Sequence, residues 1–161
     1  MFLTQFNNQD YLSELLKNLD YDTIINLCSS SGVLNELCRN NLLVKKIIQN
    51  KREYVQRRTN DFLETLKDKN DAIPIASNER DSDDIVNELI RRGFDPSAHD
   101  NEAIAVYSAK GNINMIDKLL QDPRVANDLM AFERAVVSAD YFGQLDIGEW
   151  IWGNPKWRVT I

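Results

Sequence analysis

Glycine, proline, cysteine and histidine are scarce in this chain, at six, four, two and one of 161 residues. So few breakers leave little room for long loops, and β-branched residues nowhere alternate over the length of a strand. No apolar run approaches the ~18 residues of a membrane-spanning helix. A single histidine, His99, with two distant cysteines cannot form a zinc site at the usual spacing. No serine or cysteine is accompanied by a base and an orienting carboxylate. Catalysis, a bound metal and a cofactor are therefore not expected. What is present is an apolar fraction of 43%, enough for a packed core, distributed at helical spacing. The expectation is an all-α protein.

Charge is unevenly distributed along the chain. The formal net charge is -6, yet residues 1–69 carry 10 Lys and Arg against 9 Asp and Glu, and residues 70–161 carry 9 against 16. The second half is acidic. A phosphate backbone would be repelled by it, so nucleic acid is an unfavourable partner and a basic protein target suits it better. Cys28 and Cys38 lie within apolar helical patterns, and Met1–Gln9 is short and polar. Both cysteines are expected to be reduced core thiols of a soluble cytoplasmic protein that does not enter a membrane.

In chain order, Asn7, Asn8 or Asp10 can cap a first helix with Tyr11, Leu12, Leu15, Leu16 and Leu19 on one side. Asp20 and Asp22 can cap a second, burying Ile24, Ile25, Leu27 and Cys28. After Ser29-Ser30-Ser31-Gly32 a third carries Val33, Leu34, Leu37 and Cys38, and Asn40-Asn41 breaks the chain before Leu42, Leu43, Val44, Ile47 and Ile48. The Leu-x-x-Leu-Leu-x-x-Leu-Asp line from Leu12 to Asp20, the pair Ile24-Ile25 and the steps Leu27-Cys28 and Leu37-Cys38 resemble an F-box. The sequence departs from that family in having Asp10-Tyr11 for its Leu-Pro start and Val44 near the place of its usual tryptophan. The resemblance implies docking on a Skp1-like adaptor through Leu12, Leu15, Leu19 and Ile24. A simpler expectation is that the bundle only covers the apolar end of a helical stack formed by the second half of the chain.

Residues 45–69 are expected to form a long helix with Tyr54 and Val55 inward, then a second capped by Thr59 or Asn60 that uses Phe62, Leu63 and Leu66. Lys45, Lys46, Lys51, Arg52, Arg57 and Arg58 make residues 45–58 basic, with Glu53 alone opposing them. A solvated helix face explains it more simply than a phosphate-binding surface.

From Asp71 onward the pattern recurs. Ala103, Ile104, Val106 and Tyr107 precede the break Gly111-Asn112, and Met115, Ile116, Leu119 and Leu120 come after it. Gly143-Gln144 lies 32 residues further on, and Ala72, Ile73, Ile75 and Ser77 lie 31 residues before Ala103, Ile104, Val106 and Ser108. A helix-turn-helix unit at this period marks a stacked array, and ankyrin repeats run at about 33 residues. With Asp95-Pro96, Ala98, Ala109, Gly111, Leu119-Leu120 and Asp122-Pro123-Arg124-Val125, the chain resembles the degenerate ankyrin arrays common in large DNA viruses of protists. Glu102-Ala103-Ile104-Ala105 stands where that family usually has Thr-Pro-Leu-His.

The organisation expected is an F-box-like bundle over 1–50, connecting helices over 51–70 and a small solenoid of three ankyrin-like repeats over 71–161, closed by Trp150 and Trp152. Trp157 is either part of that cap or a partner anchor. The resemblance implies a protein–protein interaction module, a substrate adaptor of a Skp1-type ubiquitin ligase in the cytoplasm, which is the host cytosol for a viral protein. The alternative is a stand-alone scaffold or host-interaction protein. Ankyrin geometry implies target contacts from His99, Asn101, Lys110, Met130, Glu133, Tyr141 and Phe142, with Ala98 beside them. Tyr141 and Phe142 are the expected anchors, unless one is core.

Overall fold

The computed structural model describes residues 15–30 and 32–159, without the side chains of Val33 and Leu37. All regular structure among them is helical. They fall into two compact units that meet in sequence between Phe62 and Leu63.

In the first unit residues 15–18 are helical and lead to α1 (Tyr21–Ser30), α2 (Gly32–Asn40) and α3 (Leu42–Thr65). Asp20 starts α1 by accepting from the amide and hydroxyl of Thr23 at 2.9 and 2.6 Å. Burial pushes the Asp20 carboxyl up, but these Thr23 bonds hold it below its usual range. Asn41 starts α3 by accepting from the amides of Leu43 and Val44. Leu16, Ile24, Val44 and Ile47 form the core, with Leu19, Cys28, Cys38 and Ile48 packed against it.

Four expectations are corrected here. Cys28 and Cys38 are not thiols: they are joined by a disulfide linking α1 to α2. Disulfides are rare in reducing compartments, so the cysteines no longer argue for the cytoplasm. Ile25 is exposed, because only Ile24 of the pair faces the core. Residues 42–65 form one helix, so the break expected at Thr59 does not occur. Thr59 is buried mid-helix and donates to the Val55 carbonyl, while Val55 is buried and Tyr54 exposed with Arg58 over its ring.

The second unit contains three helical hairpins: α4 (Ala72–Asn78) with α5 (Asp83–Arg91), α6 (Ala98–Lys110) with α7 (Ile113–Leu119), and α9 (Leu129–Tyr141) with α10 (Leu145–Gly153). A short 3-10 turn (Lys69–Asp71) precedes the first, and the one-turn α8 (Pro123–Ala126) joins the last two. The leading helices α4, α6 and α9 pack in a row, with α6 between the others. Ala72, Ala76, Ala103, Ala131, Ala135 and Ala139 are buried along this row and allow close backbone approach. Ile73, Ile104, Tyr107, Ile116, Leu119 and Ile151 fill the space between leading and trailing helices. Burial drives the Tyr107 phenol far above its usual range, reinforced by the Asp83 carboxylate.

The end of α10 and the residues after it close this unit. Phe132 is flanked edge-on by Trp152 and Trp157, at centroid distances of 4.9 and 5.2 Å. The Arg158 amide donates to the Ala126 carbonyl, and Lys156 Nζ reaches Asp117 Oδ1 at 2.5 Å. Trp157, left open by the sequence, belongs to this closure.

The cross-link closes a loop whose ends are 10 residues apart. Reduction, or Cys28→Ser, is expected to cost about 2–3 kcal/mol on chain-entropy grounds. Thiol titration in denaturant should find no free thiol before reduction and two after it; two at the outset would restore the reduced expectation.

Candidate interaction surfaces

The residues proposed to meet an adaptor separate by exposure. Leu12 lies outside the described residues. Leu15 is 43% exposed, Leu19 is half-buried against the bundle core, and Ile24 is fully buried. Ile24 therefore stabilises the bundle and has no surface to offer, which corrects its assignment as a contact. Leu15 and Leu16 are adjacent on a helical turn, about 100° apart, so one faces out while the other is core.

The stack of hairpins is stitched by polar side chains at both ends of its helices. At the leading-to-trailing turns, Lys110 Nζ donates to the carbonyls of Ser77 and Glu79 at 2.6 and 3.0 Å. Asn112 caps α7 by accepting from the Met115 amide and donates to Asp83 Oδ2 at 2.8 Å. Gly111 ends α6 at φ 70°, where a Cβ would lie 2.7 Å from Gln144 Oε1. The left-handed backbone calls for glycine there, while the Gln144 side chain could move aside.

At the other end the expected target contacts His99 and Asn101 both bond within the unit. Residues 99–101 turn left-handed, with φ of 54°, 55° and 63°, before the regular part of α6. Such backbone is costly away from glycine, and Asn and Asp adopt it most readily. Asn101 is buried and donates to Asp128 Oδ2 at 2.7 Å, so its assignment as a surface contact is corrected. His99 is half-exposed, with Nε2 at 2.8 Å from Asp71 Oδ1 and Nδ1 at 3.7 Å from Glu102 Oε2. Arg124 ties together the two Asp-Pro turns, at 2.7 Å from Asp122 and 3.2 Å from Asp95. The Arg124 guanidinium beside Asp122 holds that carboxyl below its usual range.

The remaining candidates lie in the last hairpin. Met130, Glu133, Tyr141 and Phe142 are all exposed, and the rings of Tyr141 and Phe142 meet edge-on at 5.2 Å. The structure adds Val137 and Leu145, which sequence reading passed over. Val137 lies one turn before Tyr141 on the side of α9 opposite the buried Ala135 and Ala139. Its signal was present: Val136-Val137 cannot both be buried in a helix whose core side is already set by alanines.

Among the described residues no group of three or more His, Cys, Asp or Glu side chains is arranged to hold a metal, and no helix is long and apolar enough to cross a membrane. Comparison with protein-family models, curated proteins and solved structures returns no match.

Two measurements test this geometry. Asn101→Ala leaves the left-handed turn and Asp128 without their buried partner and is expected to cost about 1–3 kcal/mol in urea denaturation. Because the folded Asp122 carboxyl is depressed, its contribution is complete above about pH 4 and is lost as pH falls through the lower folded value. Asp122→Asn should therefore flatten the acid limb of a Tm-against-pH curve while changing neutral stability less than Asn101→Ala.

Proposed function

We propose that this protein is a protein–protein interaction module. The observation that carries the reading is the Tyr141–Phe142 pair, held in the open at the turn of the last hairpin. Aromatic side chains bring large contact area at low conformational cost, and they are enriched where interfaces gain most of their energy. The stack of hairpins, with its period of 30–32 residues between equivalent positions, supports kinship with degenerate ankyrin arrays. In such an array short loops and helix faces recognise a target while the buried row supplies rigidity.

The F-box resemblance extends this to a substrate adaptor: Leu15, together with Leu12, meets a Skp1-type protein in the cytoplasm, and the hairpins hold a target for ubiquitin transfer. Exposure of Leu15 supports the extension. The second reading, a stand-alone scaffold with an N-terminal cap, is favoured by Leu19 and Ile24, which the bundle uses in its own core.

Purified protein with a Skp1-type adaptor distinguishes the two. Adaptor binding lost by at least tenfold in a folded Leu15→Asp variant, and unchanged in Tyr141→Ala/Phe142→Ala, supports the ligase adaptor. Absence of binding by the folded wild type leaves the scaffold reading.

A further inference from the structure

The turn between leading and trailing helix occurs in each hairpin, and its chemistry changes at the last. The first turn carries Asn78-Glu79 and the second Ala109-Lys110, where Lys110 is spent on the carbonyls of the turn before it. The third carries Tyr141-Phe142, aligned with Ala109-Lys110 by the glycines that come after each pair. A lysine that holds the stack together is replaced by a phenylalanine that holds nothing in it. Packing does not require either ring, since Tyr141 is 83% and Phe142 62% exposed.

These rings belong to a larger surface. Met130, Val137 and Tyr141 lie along one side of α9 at helical spacing, and Leu145 opens α10 beyond the turn; Met130 is 55% exposed, and Val137 and Leu145 are each 65% exposed. From Met130 to Tyr141 the stripe runs eleven residues, about 16 Å of helix. That length matches about three turns of a second helix, the footprint of a helix laid in a groove.

Apart from Arg134, which lies on the same side of the helix between Met130 and Val137, its border is acidic. Glu133 precedes Val137 by one turn, Asp140 and Asp146 adjoin Tyr141 and Leu145, and Glu149 lies one turn after Leu145. None of the four has a basic partner among the described residues. The one cation of the hairpin, Arg134, faces Asp100 at 3.7 Å. The hairpin from Leu129 to Gly153 therefore has four carboxylates against one guanidinium that is already matched.

We propose that this surface docks a cationic amphipathic helix, with apolar side chains seated on Val137, Tyr141, Phe142 and Leu145 and lysines or arginines meeting Glu133, Asp140, Asp146 and Glu149. The inference rests on reading Tyr141 and Phe142 as contact residues and adds the chemistry of what they contact. Apolar anchors give such a complex its affinity, and the surrounding carboxylates select the partner's charge and accelerate encounter.

The test uses the full chain and a fluorescein-labelled 18-residue helix of leucine and lysine, read by anisotropy, with a leucine–glutamate helix of the same pattern beside it. The lysine helix is expected to bind and the glutamate helix not to. Tyr141→Ala/Phe142→Ala, checked for folding by circular dichroism, should weaken binding by tenfold or more. Asp140→Asn/Glu149→Gln should weaken it and reduce its salt dependence, whereas Glu79→Gln/Asp81→Asn, which removes the same charge at the first hairpin, should leave it unchanged. Equal weakening by the two charge variants, or binding of both peptides alike, overturns the cationic assignment and leaves the interaction module standing. An aromatic variant that binds as wild type does overturns both. A doubled mass in light scattering that reverts to monomer in the aromatic variant means that a second copy covers the surface, and overturns the foreign helix.

Discussion

Close packing of α4, α6 and α9 through alanine is the constraint on which the rest of the second unit depends. Ala72, Ala76, Ala103, Ala131, Ala135 and Ala139 have no side chain beyond a methyl, and all are buried. Helices that meet through methyl groups approach more closely than helices that meet through leucine. That approach brings consecutive turns within reach of single side chains. Lys110 spans from the second turn to carbonyls of the first, Asn112 from α7 to Asp83, and Asn101 from α6 to Asp128. A larger residue at Ala103 or Ala135 would separate the row and break these bonds with it.

The ladder also engages several side chains with binding chemistry inside the stack. Asn101 and Lys110 have the polarity of contact residues, but their donors are used between hairpins. In the third hairpin the turn residue no longer has this duty. Tyr141 and Phe142 stand where that constraint is lifted, with carboxylates around them and the charge asymmetry of residues 70–161 behind them. In the first unit the opposite holds: the cations of α3 lie on a helix whose other side is the core formed with Val44 and Ile47.

The disulfide and the single long α3 show where residue spacing was a poor guide. Cys28 and Cys38 sit at apolar positions of α1 and α2, which is equally true of a buried thiol pair and of a cross-link. Only the distance between the two helices separates those cases. Thr59 and Asn60 have good capping chemistry, yet Thr59 returns its hydroxyl to the Val55 carbonyl and the helix continues. Local preference was overridden by packing on both sides of that point.

Helical class, the positions of the hairpins and the turn glycines were determined by sequence alone, because apolar spacing and left-handed glycine act within a few residues of one another. Gly111 and Gly143 mark their turns without reference to anything distant. Exposure was decided only by tertiary structure. Leu15 and Leu16, Ile24 and Ile25, and Asn101 and Glu102 are neighbours in sequence, and which of each pair faces the core depends on the element packed against it. The same holds for Tyr141 and Phe142: both could have been core residues, and both are exposed because no element among the described residues packs over them.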